Sequence, residues 1–168
     1  MSTTLYFLKV NVSSHVYDIY KKPDKLREIL KELYLSIKND VKYVKEEIRT
    51  DDDGEKYIYD AIYKFYNINK LDNDFSDSVV GRIVKYSKLF AKRIDDETGE
   101  LKKVPVENNE PIDFYFDIYN ERVAFCTTNR FGYVEFNEAF NELINKCMKE
   151  KSMDYWFEVS VLREGVDI

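Results

Sequence analysis

The feature that most constrains the fold is a block of strand-like segments that separates two amphipathic helical segments. The first helical segment starts at Pro23, a residue favoured in the first turn because its missing N–H costs nothing there. The second covers residues 135–150. Apolar residues recur at helical spacing in both segments, at Leu26, Ile29, Leu30, Leu33 and Ile37, and at Phe136, Phe140, Leu143, Ile144 and Cys147. Few helices separated by consecutive strands indicate an α+β protein.

Alternating apolar residues between the helical segments predict an antiparallel sheet. The element order is β-α-β-β-β-β-β-α-β, with turn signals at Asp53-Gly54 and at residues 95–99. Residues 79–94 fit either a strand or a helix by period, and their β-branched and aromatic residues favour a strand. We expect a mostly antiparallel sheet of about seven strands with two helices, a turn at residues 107–111, and a plan compatible with a ferredoxin-like fold carrying an inserted hairpin.

Length and composition indicate one globular domain over residues 1–168. The chain is 44% hydrophobic and 35% charged, and none of its apolar runs approaches the roughly 18 residues of a membrane-spanning helix. The N-terminus alternates like a strand and lacks the basic region of a signal peptide, so we expect a cytoplasmic protein. Because the chain ends shortly after a strand, it is also compatible with the N-terminal part of a longer protein.

The residues that most enzymes and metal sites require are scarce. His15 is the only histidine and lies in a polar loop, which favours an exposed side chain over a catalytic one. The two cysteines are too few for a zinc site, and five glycines do not supply a phosphate-binding loop. Asp113 and Asp117 lie on one strand face about 13 Å apart, too far to share a metal. We therefore assign no catalytic residue, metal or cofactor.

The charge balance favours a protein partner over nucleic acid. The formal net charge is −6 and the pI about 5.0, whereas non-specific nucleic-acid binders usually carry a basic excess. A local basic stretch leaves nucleic acid open. Its cations and interleaved aromatics are Arg82, Lys85, Tyr86, Lys88, Phe90, Lys92, Arg93, Lys102 and Lys103. On a hairpin these residues would form a cationic ribbon able to stack bases. The alternative is a solvated hairpin whose charges pair with its own acidic tip.

The fourteen tyrosines suggest a second interaction surface. If Tyr115 and Tyr119 face outward on one strand while Tyr57, Tyr59 and Tyr63 line another, they form a flat aromatic patch typical of protein interfaces. The alternative is that helices cover these tyrosines. Since two helices do not readily shield both faces of about seven strands, we expect one exposed aromatic face.

Three segments within residues 79–146 form a recognisable succession, namely VVGRIVKYSKLF, IDFYFDIYNERVAF and the helix EFNEAFNELINK. In these segments the chain resembles an uncharacterised bacterial family found near mobile-element and phage-defence genes. It implies a role in phage–host conflict but transfers no catalytic residue. The sequence therefore predicts a non-catalytic binding module that engages a protein partner, less readily nucleic acid, with its oligomeric state open. The alternative is a nucleic-acid-processing enzyme, either a Mg²⁺-dependent nuclease or a Cas6-like RNA endonuclease.

Overall fold

The computed structural model describes residues 4–15, 18–51, 53–72, 76–149 and 154–167, with side chains in the last segment described through residue 162. The described residues form seven strands, two α-helices and one short 3-10 helix. The elements are β1 (Thr4–Ser14), the 3-10 helix (Ile19–Lys21), α1 (Pro23–Ser36), β2 (Lys42–Thr50), β3 (Lys56–Asp72), β4 (Asp77–Ile94), β5 (Leu101–Asp117), β6 (Arg122–Cys126), α2 (Tyr133–Met148) and β7 (Tyr155–Asp167).

All seven strands belong to one antiparallel sheet, in the order β2-β3-β4-β5-β6-β1-β7. This confirms the predicted α+β class and strand number. The sub-sheet β7-β1-β6-β5 follows the strand order of a ferredoxin-like fold, with β6 between the parallel strands β1 and β5. The insertion after α1 consists of the three strands β2, β3 and β4, and it extends the sheet on the β5 side.

Both α-helices pack on the same face of the sheet, which we call the core face. The predicted apolar stripe of α2 is buried, and its Phe136 ring stacks on Phe125 of β6 with centroids 4.0 Å apart. Phe140 of the same helix meets Phe116 of β5 edge to face at 5.4 Å. Removing these apolar surfaces from water is the main stabilising contribution to the fold.

The turn expected at residues 107–111 is wrong, because β5 continues through them. Strands β4 and β5 pair without a register shift from Ser78–Asp117 to Ile94–Leu101. The hairpin closes with the Asp95 N–H donating to the Glu100 carbonyl at 2.8 Å. From this bond, residue pairs that hydrogen-bond to each other alternate along the ladder with pairs that do not. Pro105 and Pro111 fall in pairs that do not, so their nitrogens face away from β4. Neither proline therefore removes a hydrogen bond of the ladder.

Both predicted hairpin turns are confirmed. Gly54 and Gly99 adopt φ values of +82° and +70°, a region that favours glycine. At the second turn Asp95 Oδ1 accepts hydrogen bonds from the backbone N–H groups of Glu97 and Thr98, at 2.8 Å and 3.2 Å. None of the helices in the described ranges combines the length and hydrophobicity that crossing a bilayer requires.

Candidate interaction surface

The sheet face opposite the helices, here called the outer face, is not covered by the described helices. It presents apolar side chains that a buried face would normally hide. Val44, Ile48 and Ile58 are 43%, 59% and 66% exposed near the β2 edge, and Tyr115 is 45% exposed near the centre. Strand registers place Val44 opposite Ile62 and Ile48 opposite Ile58. Clustered apolar exposure of this kind marks interaction sites.

A groove of about 760 Å³ crosses the centre of the outer face. Leu5, Val80, Tyr115, Ala124 and Cys126 contribute to its mostly apolar lining, and they come from four neighbouring strands. The Tyr115 hydroxyl lies 2.8 Å from Ser78 Oγ, and this hydrogen bond fixes the ring at the groove wall. The groove is therefore a concave, mostly apolar surface in the described chain.

Two tyrosines extend the outer face towards β2. The hydroxyl groups of Tyr66 and Tyr86 are 2.6 Å apart, and the Lys64 ammonium lies 5.9 Å from the Tyr66 ring centroid. The pKa of Tyr86 is raised by the hydrogen bond with Tyr66 and by burial. Both rings are half-buried, so they combine apolar contact area with polar tips.

Cations on the outer face alternate with carboxylates. The strand registers place Lys88 opposite Glu107, Arg82 opposite Asp113, and Arg122 opposite Asp117. The Arg82 Nε donates to Asp113 Oδ1 at 2.7 Å, and the bond raises the pKa of the guanidinium. Such interleaved charges do not form the continuous positive track that a phosphate backbone requires.

The tip of the β4–β5 hairpin is tied to the neighbouring β2–β3 hairpin. Lys103 Nζ lies 2.6 Å from Asp51 Oδ2, and the hydrogen bond from Lys103 lowers the pKa of Asp51 to about 2. The Phe90 ring stacks on Tyr57 with centroids 4.2 Å apart. Lys102 forms an ion pair with Asp95, the first residue of its own turn. The predicted acidic tip thus neutralises part of the basic ribbon.

The structure separates the eleven predicted binding residues into three groups. Arg82, Tyr86, Lys88 and Tyr115 lie on the outer face. At the hairpin tip lie Phe90, Lys92, Arg93, Lys102 and Lys103. The remaining two, Lys85 and Tyr119, belong to neither surface.

Lys85 and Tyr119 are held by internal contacts. Lys85 points to the core face, where its Nζ lies 2.6 Å from Glu135 Oε2. Tyr119 follows β5 in a turn and donates to Asp77 Oδ2 at 2.7 Å, with the Arg27 guanidinium 3.9 Å from its ring centroid. Burial and this hydrogen bond raise the pKa of Tyr119. Neither residue presents its polar atoms to a partner on the outer face.

The flat aromatic patch expected from both sets of tyrosines does not form. Tyr63 is 1% exposed on the core face and donates to Glu135 Oε2 at 2.9 Å. Burial raises the pKa of its hydroxyl. Tyr115 lies on the opposite face of the sheet, because the strand register and not the residue type decides which face a side chain occupies. The exposed aliphatic residues near β2 were missed, because residues 42–50 carry no clear alternation of apolar and polar residues that would mark an apolar face.

The residues considered for catalysis have other roles. His15 is exposed, and its ring centroid lies 4.4 Å from that of Trp156. Asp113, the carboxylate of the nuclease alternative, is held by Arg82. No three His, Cys, Asp or Glu residues gather in a metal-binding arrangement within the described part of the chain. Comparison of the chain with protein-family models, with characterised proteins and with solved structures yields no match.

Proposed function

We propose that this chain is a non-catalytic binding protein that engages a protein partner through its outer face. The observation that carries the proposal is the preformed apolar groove beside Tyr115, on a sheet face that neither described α-helix covers. Tyrosine supplies contact area at low entropic cost and is enriched at the energetic centres of interfaces. The aliphatic residues near β2 enlarge this apolar surface.

The charges around the groove support a protein rather than a nucleic acid. Arg82, Lys88 and Arg122 each face a carboxylate across the ladder. A partner of matching pattern meets complementary charges of both signs at the rim, which sets register and specificity. The net charge of −6 also disfavours the binding of a polyanion such as nucleic acid. A role in phage–host conflict is part of this proposal and rests on the resemblance of residues 79–146.

Site-specific photocrosslinking in the native host tests the proposal. A benzoylphenylalanine residue at position 115 samples the groove, and the same residue at position 35 samples the far side, since Leu35 is 56% exposed on α1. We expect a protein crosslink from position 115 and none from position 35. Equal crosslinking from both positions would contradict a specific outer-face partner.

The purified partner then allows a quantitative test. Tyr115→Glu places a charge in the apolar groove, and we expect it to weaken the partner's affinity at least tenfold. Leu35→Glu is the matched control and should change affinity less than twofold.

Incubation with labelled RNA and DNA, with and without Mg²⁺, examines the enzymatic alternative. Metal-dependent cleavage that Asp113→Asn abolishes would overturn the non-catalytic assignment.

A further inference from the structure

A second cavity, of about 410 Å³, lies on the helix side of the sheet at the N-terminus of α2. It is separate from the outer face and concentrates groups that donate hydrogen bonds. Its polar lining comes from three strands, from the loop before α2 and from the first turn of α2, namely Arg49, Lys85, Ser87, Asn108, Asn129, Arg130 and Glu135. The volume lies within the range of about 300–1,000 Å³ typical of small-molecule sites.

Positive charge exceeds negative charge in this cavity. Glu135 is the single carboxylate among its lining residues, and its Oε2 already accepts from Lys85 at 2.6 Å and from the Tyr63 hydroxyl at 2.9 Å. The side chains of Arg49 and Arg130 form no ion pair with any other described residue. Two guanidinium groups therefore remain available to an anion.

Further donors lack acceptors at the same place, in the first turn of α2 and on Asn108. The sixteen-residue helix α2 begins after Gly132, and no described side chain caps it. Its first N–H groups have no intrahelical partner, and the helix dipole favours negative charge there. The buried amide nitrogen Nδ2 of Asn108 reaches no acceptor within the described chain. Buried donors without acceptors are costly, and an oxygen-rich ligand would relieve that cost for donors it reaches.

We propose that this cavity binds the phosphoryl group of a small molecule. A phosphate offers several acceptor oxygens and matches the fork of a guanidinium, which makes arginine the preferred phosphate ligand. Arg49 from β2 and Arg130 from the loop before α2 bind the phosphate from two elements, and the N-terminus of α2 contributes its backbone donors. The remaining volume accommodates the organic part of the ligand beside Leu89.

Titration of the 168-residue chain with inorganic phosphate and with adenosine monophosphate, at constant ionic strength, tests the site. Isothermal calorimetry and ³¹P line broadening report binding, and adenosine without phosphate is the negative ligand. We expect saturable binding of adenosine monophosphate and none of adenosine. Binding of free phosphate alone would show an adventitious ion only and would overturn the small-molecule proposal. Absence of saturable binding by both phosphate probes, or equal binding of adenosine, would overturn the proposal.

Variants locate the ligand. Arg49→Ala with Arg130→Ala should weaken phosphate binding at least tenfold. Lys56→Ala with Arg93→Ala removes two exposed cations outside the cavity and should change binding less than twofold. Equal losses of phosphate affinity in the two double variants would show that only the overall charge of the chain matters and would overturn the assignment.

Glu135→Gln gives a result of opposite sign. Glutamine keeps an acceptor for Lys85 and Tyr63 but removes the negative charge from the cavity. We expect phosphate affinity to rise at least threefold. Because misfolding does not tighten binding, this gain separates a ligand site from a structural role. Unchanged or weaker binding by a folded Glu135→Gln protein, verified by circular dichroism, would count against the proposal.

Discussion

Lys103 Nζ lies 2.6 Å from Asp51 Oδ2 and joins the tips of two hairpins that are 52 positions apart in the chain. The same carboxylate accepts a hydrogen bond from the Tyr57 hydroxyl at 3.1 Å. Tyr57 in turn stacks on Phe90 of the partner hairpin. Charged and aromatic contacts thus join the two hairpins near their tips.

This ion pair should make hairpin stability depend on pH. The pKa of Asp51 falls from 3.8 to about 2 in the folded chain, mainly because Lys103 donates to it. A carboxyl group with a depressed pKa stabilises the folded state at every pH above the pKa it has in the unfolded chain. That contribution is lost as pH falls from about 4 to 2. We expect Asp51→Asn to reduce the pH dependence of the urea midpoint in this window. An unchanged pH profile in the variant would contradict the role of the pair.

Asp77 should contribute more to stability than an exposed carboxylate. It is 4% exposed and accepts from Lys31 at 2.9 Å and from Tyr119 at 2.7 Å. Burial alone would raise the pKa of Asp77, but these hydrogen bonds lower it overall. Asp77→Ala leaves both donors without this acceptor, and we expect a loss of about 1–3 kcal/mol in the free energy of unfolding.

Glu28→Ala is the matched control for Asp77. Glu28 pairs with Lys25 at 3.7 Å on the surface of α1, and its side chain is 63% exposed. Exposed pairs contribute about 0–1 kcal/mol, so urea denaturation should show a small change. Equal losses in the two variants would remove the special role of Asp77.

Gly81 is required by close packing on the core face. A Cβ atom added there would lie 2.6 Å from Ile68 Cδ1 and 3.0 Å from Phe114 Cζ. We expect Gly81→Ala to lower the free energy of unfolding by about 1–3 kcal/mol through overpacking. Adding Ile68→Val removes the nearest atom and should restore part of the loss. A double variant less stable than the sum of the two single changes would contradict this explanation.

The exposed hairpin cations allow a test of the basic ribbon without disturbing the fold. Lys88 and Lys92 are both exposed, so Lys88→Glu with Lys92→Glu should change the free energy of unfolding by about 0.5 kcal/mol or less. We expect weaker binding of the crosslinked partner. Lys38→Glu with Lys149→Glu reverses two exposed charges on the helix side and is the control. Equal affinities for both double variants would exclude the hairpin from the interface.

Local signals predicted most of the elements. The apolar spacing after Pro23 and around Phe140 identified both helices, since a helix must bury one stripe. Residues 79–94, for which β-branched and aromatic residues favoured a strand over a helix, lie within β4 (Asp77–Ile94). The turn expected at residues 107–111 does not form, because the long β4–β5 ladder continues through these residues without a register shift and overrides the local preference of asparagine and proline for turns.

The cationic ribbon predicted from the sequence does not lie on a single face. Arg82 and Lys88 lie on the outer face, whereas Lys85 belongs to the same basic run and turns inward to Glu135. Composition identifies a cationic stretch, whereas the alternation of a strand sends successive side chains to opposite faces. The cationic cavity beside α2 was not predicted at all, because Arg49 and Arg130 are 81 residues apart in the sequence.

The sequence alone determined the class of the fold, the positions of both helices and the hairpin turns at Gly54 and Gly99. These features depend on local periodicity and on backbone conformations that few residues adopt. The tertiary structure decided which face of the sheet the helices cover, which charges pair across the hairpins, and where a groove and a cationic cavity arise. Those outcomes depend on strand order and register, which bring distant residues together and have no local signature.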